Sequence, residues 1–222
     1  MEHYNPKEWK DKIERLRPAE IEARSFEMIT EELGDTFLIP GTEQIVKRCI
    51  HTSADFDYAK NLYFSQGVVE KALAALKNGA SIVTDTQMAK AGINKRVLSR
   101  YGGEVYCFIS DPDVEKAAKA QGITRSAASM DKAAALERPL IFAVGNAPTA
   151  LLALCERIQE GRLSPELVIG VPVGFVNVIP SKELLMECDV PCIVARGRKG
   201  GSNIAACICN ALLYMLDGRP VS

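Results

Sequence analysis

Along most of the chain, short continuously apolar runs alternate with longer segments in which apolar residues recur every three or four positions. The short runs are Ser81–Thr84, Glu104–Ile109, Leu140–Val144, Leu167–Gly170 and Pro191–Ala195. They read as strands, and the lack of polar alternation predicts burial on both faces. The helical pattern covers Gln66–Lys77, Ile93–Tyr101, Asp113–Gln121, Arg125–Leu136, Pro148–Glu160, Lys182–Cys188 and a long final segment, Ser202–Leu216. Strands alternating with helices at this spacing predict an α/β fold, with a mostly parallel open sheet covered by helices on both faces. The first 60 residues differ and predict an N-terminal helical segment. Pro18–Leu33 is amphipathic, with Pro18 suited to a first turn and Gly34 to the stop. In Gly41–Ser53 the apolar Ile45, Val46, Cys49 and Ile50 share one helical face, and Lys47 and Arg48 take the other. No internal repeat and no polar or Pro/Gly-rich linker interrupts the pattern. Residues 1–222 therefore read as a single domain, with 1–15 as an N-terminal extension.

Composition narrows the function classes. Lys and Arg number 27 against 28 Asp and Glu, a net charge of −1, which argues against a general nucleic-acid binder. Apolar runs such as Leu140–Val144 and Leu167–Val173 are too short to cross a bilayer. Met1–Arg17 is polar and charged, unlike a signal peptide, so a cytoplasmic location is expected. The seven cysteines fit a reducing compartment, because Cys49, Cys107, Cys192, Cys207 and Cys209 sit inside apolar runs as small hydrophobes. Cys188, Cys192, Cys207 and Cys209 are close enough in sequence to suggest zinc. Cys192 belongs to a strand, however, and Cys207 and Cys209 point roughly 200° apart on a helix.

Ligands of open parallel sheets sit beyond the carboxyl ends of the strands. There this chain places Thr84-Asp85-Thr86, Ser110-Asp111-Pro112-Asp113, Gly145-Asn146-Ala147-Pro148-Thr149, Val171-Pro172-Val173-Gly174-Phe175 and Arg196-Gly197-Arg198-Lys199-Gly200-Gly201-Ser202. The last segment joins glycines, three cations and a helix start, the makings of an anion site; the plainer alternative is a solvated basic loop. Neither a Walker A loop nor a G-x-G-x-x-G pattern after a strand is present. Asn146 suits a helix N-cap and Pro148 the turn after it. Of the two histidines, His3 lies in a polar tail, whereas His51 ends an apolar-faced helix just before Asp55 and Asp57. A helix C-terminus and nearby carboxylates both favour an imidazolium. Read as metal ligands, His51, Asp55 and Asp57 supply only one nitrogen, and no nucleophile elbow is present to build a triad.

These residues carry a resemblance. Arg17–Glu22 with Ser25-Phe26, Val46–Tyr58, Ile82–Asp85, Ala91–Asn94, Thr124–Ala128, Val144–Leu151, Ile169–Phe175 and Arg196–Ser202 together resemble the precorrin-8X methylmutase family, in order, from about residue 15 to 216. The resemblance implies a homodimeric α/β enzyme of cobalamin biosynthesis that moves a methyl group from C-11 to C-12 of a precorrin-8 macrocycle, giving hydrogenobyrinate or, with cobalt, cobyrinate. His51 matches the family's proton donor. Substrate-binding roles are expected for Ser25, Arg48, Thr52, Thr84, Asp85, Arg125, Asn146, Thr149, Arg198, Lys199 and Gly200. A macrocycle edged with acetates and propionates needs scattered cations and N–H donors. Arg48, Arg125, Arg196, Arg198 and Lys199, with the helix starts after Gly145 and Gly201, offer them. An intramolecular shift calls for no protein-held metal, cofactor or hydride carrier, so the expected partners are a corrin substrate, with or without cobalt, and a second copy of the chain. Neither nucleic acid nor membrane is expected as a partner. Two alternatives stay open from the residues: a non-catalytic tetrapyrrole carrier using the same basic rim, and a nucleotide- or phosphate-binding enzyme resting on Arg196–Ser202 alone.

Overall fold

The computed structural model describes residue 10 and residues 13–218; His3 and most of the expected N-terminal extension lie outside them. The described residues form a six-stranded sheet of order β1-β6-β5-β4-β2-β3. Its strands are β1 (Leu62–Phe64), β2 (Ser81–Thr84), β3 (Val105–Tyr106), β4 (Leu140–Val144), β5 (Leu167–Gly170) and β6 (Cys192–Ala195). All neighbours run parallel except β1, which pairs antiparallel with β6 through Tyr63 and Val194.

Burial on both sides follows the strand period of two. Ile82, Ile141, Ala143, Leu167, Ile169, Ile193 and Ala195 face one cluster. That side is covered by α1 (Pro18–Leu33), α2 (Glu43–Ser53), α4 (Val68–Lys77), α6 (Lys95–Ser99) and α11 (Ser202–Leu216), with the single-turn α3 (Tyr58–Asn61) at its margin. Val83, Leu140, Phe142, Val144, Val168, Cys192 and Val194 face the other cluster, under α8 (Arg125–Ala134), α9 (Pro148–Gln159) and α10 (Val178–Glu187). The remaining helices, α5 (Gln87–Gly92) and α7 (Pro112–Gln121), pack on α11 and α8 respectively. Small residues on nearly every side of α11, including Ala205, Ala206 and Ala211, let it pass through the middle of its layer against α2, α4 and α5.

Two local expectations change, and two short elements carry none. The run Glu104–Ile109 shortens to a two-residue edge strand, because it has a sheet partner on one side only, β2. β1 and α5 carry no expectation from periodicity, since each is too short to display a period. Ala147, not Asn146, is the N-cap of α9, and its methyl side chain closes no cap of its own.

The chain leaves β2 for β3 on one side and returns to β4 on the other, so the switch point lies between the carboxyl ends of β2 and β4. Backbone is crowded there. A Cβ on Gly145 would stand 2.6 Å from Ser202 Cα and 2.7 Å from Gly201 O. Only a glycine lets the end of β4 touch the start of α11. Gly145→Ala is expected to cost about 1–3 kcal/mol as overpacking. Urea unfolding checks this: the midpoint falls at unchanged m-value, and an unshifted midpoint contradicts the crowding.

Candidate active site

The switch point is occupied by a side chain. Asp85 follows β2 directly and is 1% exposed. Its Oδ1 accepts the Gly145 N–H at 2.9 Å, and Oδ2 accepts those of Asn146 and Ala147 at 2.8 and 2.7 Å. The carboxylate is thus held by the loop that leads into α9, taking amides that a free anion could otherwise use. Burial pushes the Asp85 pKa up, against the downward pull of the three N–H donors. Thr84 is equally buried, with its hydroxyl turned to the carbonyls of Thr86 and Tyr106 at 3.1 and 3.2 Å. Thr84 and Asp85, expected to bind substrate, therefore lie beneath the rim, and the amides after Gly145 are not open donors. Asn146 keeps its side chain exposed above them.

The second feature is the loop after β6. Gly200 has φ +155° and a Cβ there would stand 2.1 Å from Val171 O, while the neighbouring Gly201 N–H donates to that same oxygen at 2.8 Å. The loop therefore hugs β5 as only glycine permits. Beneath it lies Lys182, fully buried, whose Nζ donates to Gly197 O at 2.8 Å and Lys199 O at 2.9 Å. Burial lowers its pKa to about 8. Above, Lys199 Nζ reaches Asp55 and Asp57 at 2.7 and 2.6 Å and holds Asp55 below the ordinary carboxylate range. Both carboxylates that might have joined His51 as metal ligands are thus committed to one ammonium.

His51 stands exposed near the end of α2, its ring stacked 5.1 Å from that of the buried Phe26 on α1. Arg48, one turn earlier, lies between the Phe26 and Tyr214 rings, 5.3 and 4.7 Å from their centroids, and pairs with Glu22 at 3.0 Å. Its Nε is buried without a partner. Ser25 donates to Ile21 O of its own helix and Thr52 donates to Cys207 Sγ, 3.2 Å away. Two expected cations form no direct ion pair among the described residues, although the charge of Arg125 helps lower the Glu115 pKa. Arg125 is exposed at the start of α8, and Arg198 is exposed with its guanidinium 5.4 Å from the ring of Phe175. Thr149 accepts from Thr124, the N-cap of α8, at 2.9 Å. That contact joins the starts of α8 and α9 beside Arg125.

The structure thus groups Arg48, His51 and Thr52 with Phe26 and Tyr214, and ties the end of α2 to the loop bearing Arg198, Lys199 and Gly200. Arg125, Asn146 and Thr149 gather at the starts of α8 and α9. Sequence reasoning missed Phe26, Tyr214 and Lys182. Of these, Phe26 stands in the Ser25-Phe26 motif without a role of its own, and Lys182 opens the charged pair Lys182-Glu183 after Val178–Ser181.

Comparison with known proteins decides what this rim belongs to. The family model for precorrin-8X methylmutase matches residues 20–215. The chain belongs to the precorrin-8X methylmutase family. It is 49% identical over 206 residues to a cobalt-precorrin-8 methylmutase of Salmonella typhimurium, covering 90% of this chain and 96% of that one. A cobalt-precorrin-8 methylmutase of Priestia megaterium is 44% identical over 202 residues, covering 91% and 90%. A solved precorrin-8X methylmutase from Thermus thermophilus superposes with TM-score 0.81 at 41% identity, over 90% of this chain and all of the other. The protein is accordingly an isomerase of cobalamin biosynthesis, which sets aside both the carrier and the nucleotide-enzyme readings. Among the described residues no helix is long and apolar enough to cross a membrane.

Two expectations follow from the buried charges. Asp85→Asn retains an acceptor but faces three amides with one oxygen, and is expected to destabilise by about 1–3 kcal/mol in urea unfolding at neutral pH. A wild-type midpoint in that variant contradicts the role of the carboxylate. Lys182 binds its proton less tightly folded than unfolded, so between pH 8 and the usual lysine range the unfolded chain holds the extra proton and stability rises with pH. Lys182→Met lacks this contribution. The stability difference between wild type and variant should move in favour of wild type from pH 7 to pH 9, and a pH-independent difference contradicts it.

Proposed function

We propose that the enzyme moves a methyl group from C-11 to C-12 of a cobalt-loaded precorrin-8, giving cobyrinate, with His51 as general acid. The observation that carries this reading is the setting of His51. The imidazole is exposed at the rim, backed by the buried Phe26 ring, near the end of a helix tied to the glycine-rich loop by Lys199. The Salmonella and Priestia relatives carry the cobalt form in their names, which supports a cobalt-bearing substrate.

An intramolecular methyl shift breaks one C–C bond and forms another within the same macrocycle. The protein's task is then to hold the ring in one shape and one protonation state. A proton or hydrogen bond from His51 to a ring nitrogen draws electron density from the conjugated system and eases migration; a well-placed acid of this kind contributes about 10²–10⁴-fold. Arg125 and Arg198, which form no direct ion pair among the described residues, are suited to the peripheral acetates and propionates. The buried Nε of Arg48, lacking a partner, offers a further donor beside His51. Asn146, Thr149, Thr52, Ser25 and Gly200 contribute polar or close backbone surface around the ring. Thr84 and Asp85 support the rim from below. We place the enzyme in the cytoplasm, acting as a homodimer.

His51→Ala is expected to lower turnover of the unrearranged substrate by at least about 10²-fold while leaving product binding within a few-fold of wild type. Visible absorbance follows both. Near-normal turnover would overturn the assignment of the acid, and equal losses in turnover and binding would make His51 a binding residue.

A further inference from the structure

We propose that Lys182 is a positioning residue for the reaction: from inside the core it holds the glycine-rich loop so that Lys199 clamps the turn behind His51. The proposal rests on the reading of His51 as the acid, but the mechanical link it describes stands or falls separately.

The link runs through four contacts. Lys182 is a lysine with no exposure and no carboxylate partner; its ammonium meets the carbonyls of Gly197 and Lys199. Burying such a charge is unfavourable unless hydrogen bonds offset it, and a methionine of similar length would fill the space without that cost. What the ammonium provides is two donors aimed at two consecutive-but-one carbonyls of a single loop, which fixes the backbone on either side of Arg198. The loop has other anchors as well: Arg196 N–H to Asn61 O, Gly174 N–H to Arg198 O at its middle, Gly201 N–H to Val171 O, and the Arg196 side chain to Glu183. With the Lys199 backbone held from below, its side chain closes on Asp55 and Asp57.

Those two aspartates belong to a strained turn. Ala54 ends α2 in the left-handed region, at φ 52° and ψ 32°, which is uncommon for a residue with a Cβ. Its N–H donates to Ile50 O at 2.7 Å, Asp55 N–H donates to Ser53 Oγ at 3.2 Å, and Asp57 N–H donates to Asp55 Oδ1 at 3.0 Å. These local bonds and the packing of Phe56 and Tyr58 on the core seat the turn, and the Lys199 ammonium links its two carboxylates to the glycine-rich loop. His51 lies three residues before Ala54, so slack in this turn reaches the acid directly. Displacement of a reacting group by about 1 Å is enough to cost roughly 10²-fold in rate. Neither Lys182 nor the Asp55–Asp57 turn needs to touch the substrate for this to operate.

The test compares Lys182→Met, Lys199→Met and the double variant by amide hydrogen exchange and by steady-state kinetics. Expected in Lys182→Met is faster exchange at residues 196–200 and also at 53–58, with kcat reduced roughly 10–100-fold. Lys199→Met should loosen 53–58 to the same degree, and the double variant should show no further loss in kcat and no faster exchange at 53–58. Unchanged exchange at 53–58 in Lys182→Met overturns the proposal, as do losses in kcat that multiply in the double variant. Lys182→Gln, which keeps amide donors on a shorter uncharged chain, should fall between wild type and Lys182→Met on both readouts. If Lys182→Met does not fold, wild-type exchange at 53–58 in Lys182→Gln with a loosened 196–200 gives the same refutation. Normal turnover in His51→Ala with coupled exchange intact would instead refute the acid and leave the link standing.

Discussion

The carboxylate of Asp85 occupies the place in this fold where a ligand anion would ordinarily bind. It draws the ends of β2 and β4 together by accepting three consecutive amides at the start of α9. Charge-assisted bonds to N–H groups at a helix N-terminus are among the strongest that a buried carboxylate can find, and they offset the loss of its hydration. The glycine that contributes the first amide is the same one that lets β4 touch α11. With the switch point filled, the proposed ligand surface lies further out, on the end of α2, the loop after β6 and the starts of α8 and α9.

Near-neutral net charge takes on a different meaning at that rim. Most of its cations are already engaged: Arg48 with Glu22, Arg196 with Glu183, and Lys199 with Asp55 and Asp57. Exposed pairs of this kind add little to stability, yet they fix where long side chains lie. In the proposed binding mode a polyanionic macrocycle meets a few directed cations, Arg125 and Arg198 foremost, and not a diffuse positive field. Such a surface recognises a spacing of carboxylates more than their number.

Much of the architecture is legible in sequence because its causes are local. The strands β2, β4, β5 and β6 are continuous apolar runs, and α1, α2 and α11 have clear apolar faces bounded by turn residues. β1 is not legible, since Leu62–Phe64 is a strand only by virtue of the free edge of β6. At the site, His51 and the Arg196–Ser202 loop are visible as residue types in a suggestive context. Their couplings are not. Lys199 finds Asp57 across 142 positions of sequence, and Asp85 finds Gly145 across 60. A lysine on a helix reads as solvated until tertiary packing closes over it, which is why Lys182 gave so faint a signal. Likewise Thr84 and Asp85 carry the right chemistry for a rim and are placed one layer too deep to form it.

In the binding mode proposed above, Asp85 closes the switch point and the corrin lies outside it, against His51. A crystal structure of the complex with the cobalt-bearing product tests this most directly. Expected are His51 within about 3.2 Å of a ring nitrogen, Arg125 and Arg198 on peripheral carboxylates, and Asp85 still bonded to the amides of Gly145, Asn146 and Ala147. A product carboxylate seated on those amides with Asp85 displaced, or an imidazole beyond hydrogen-bond reach of the ring, would contradict it.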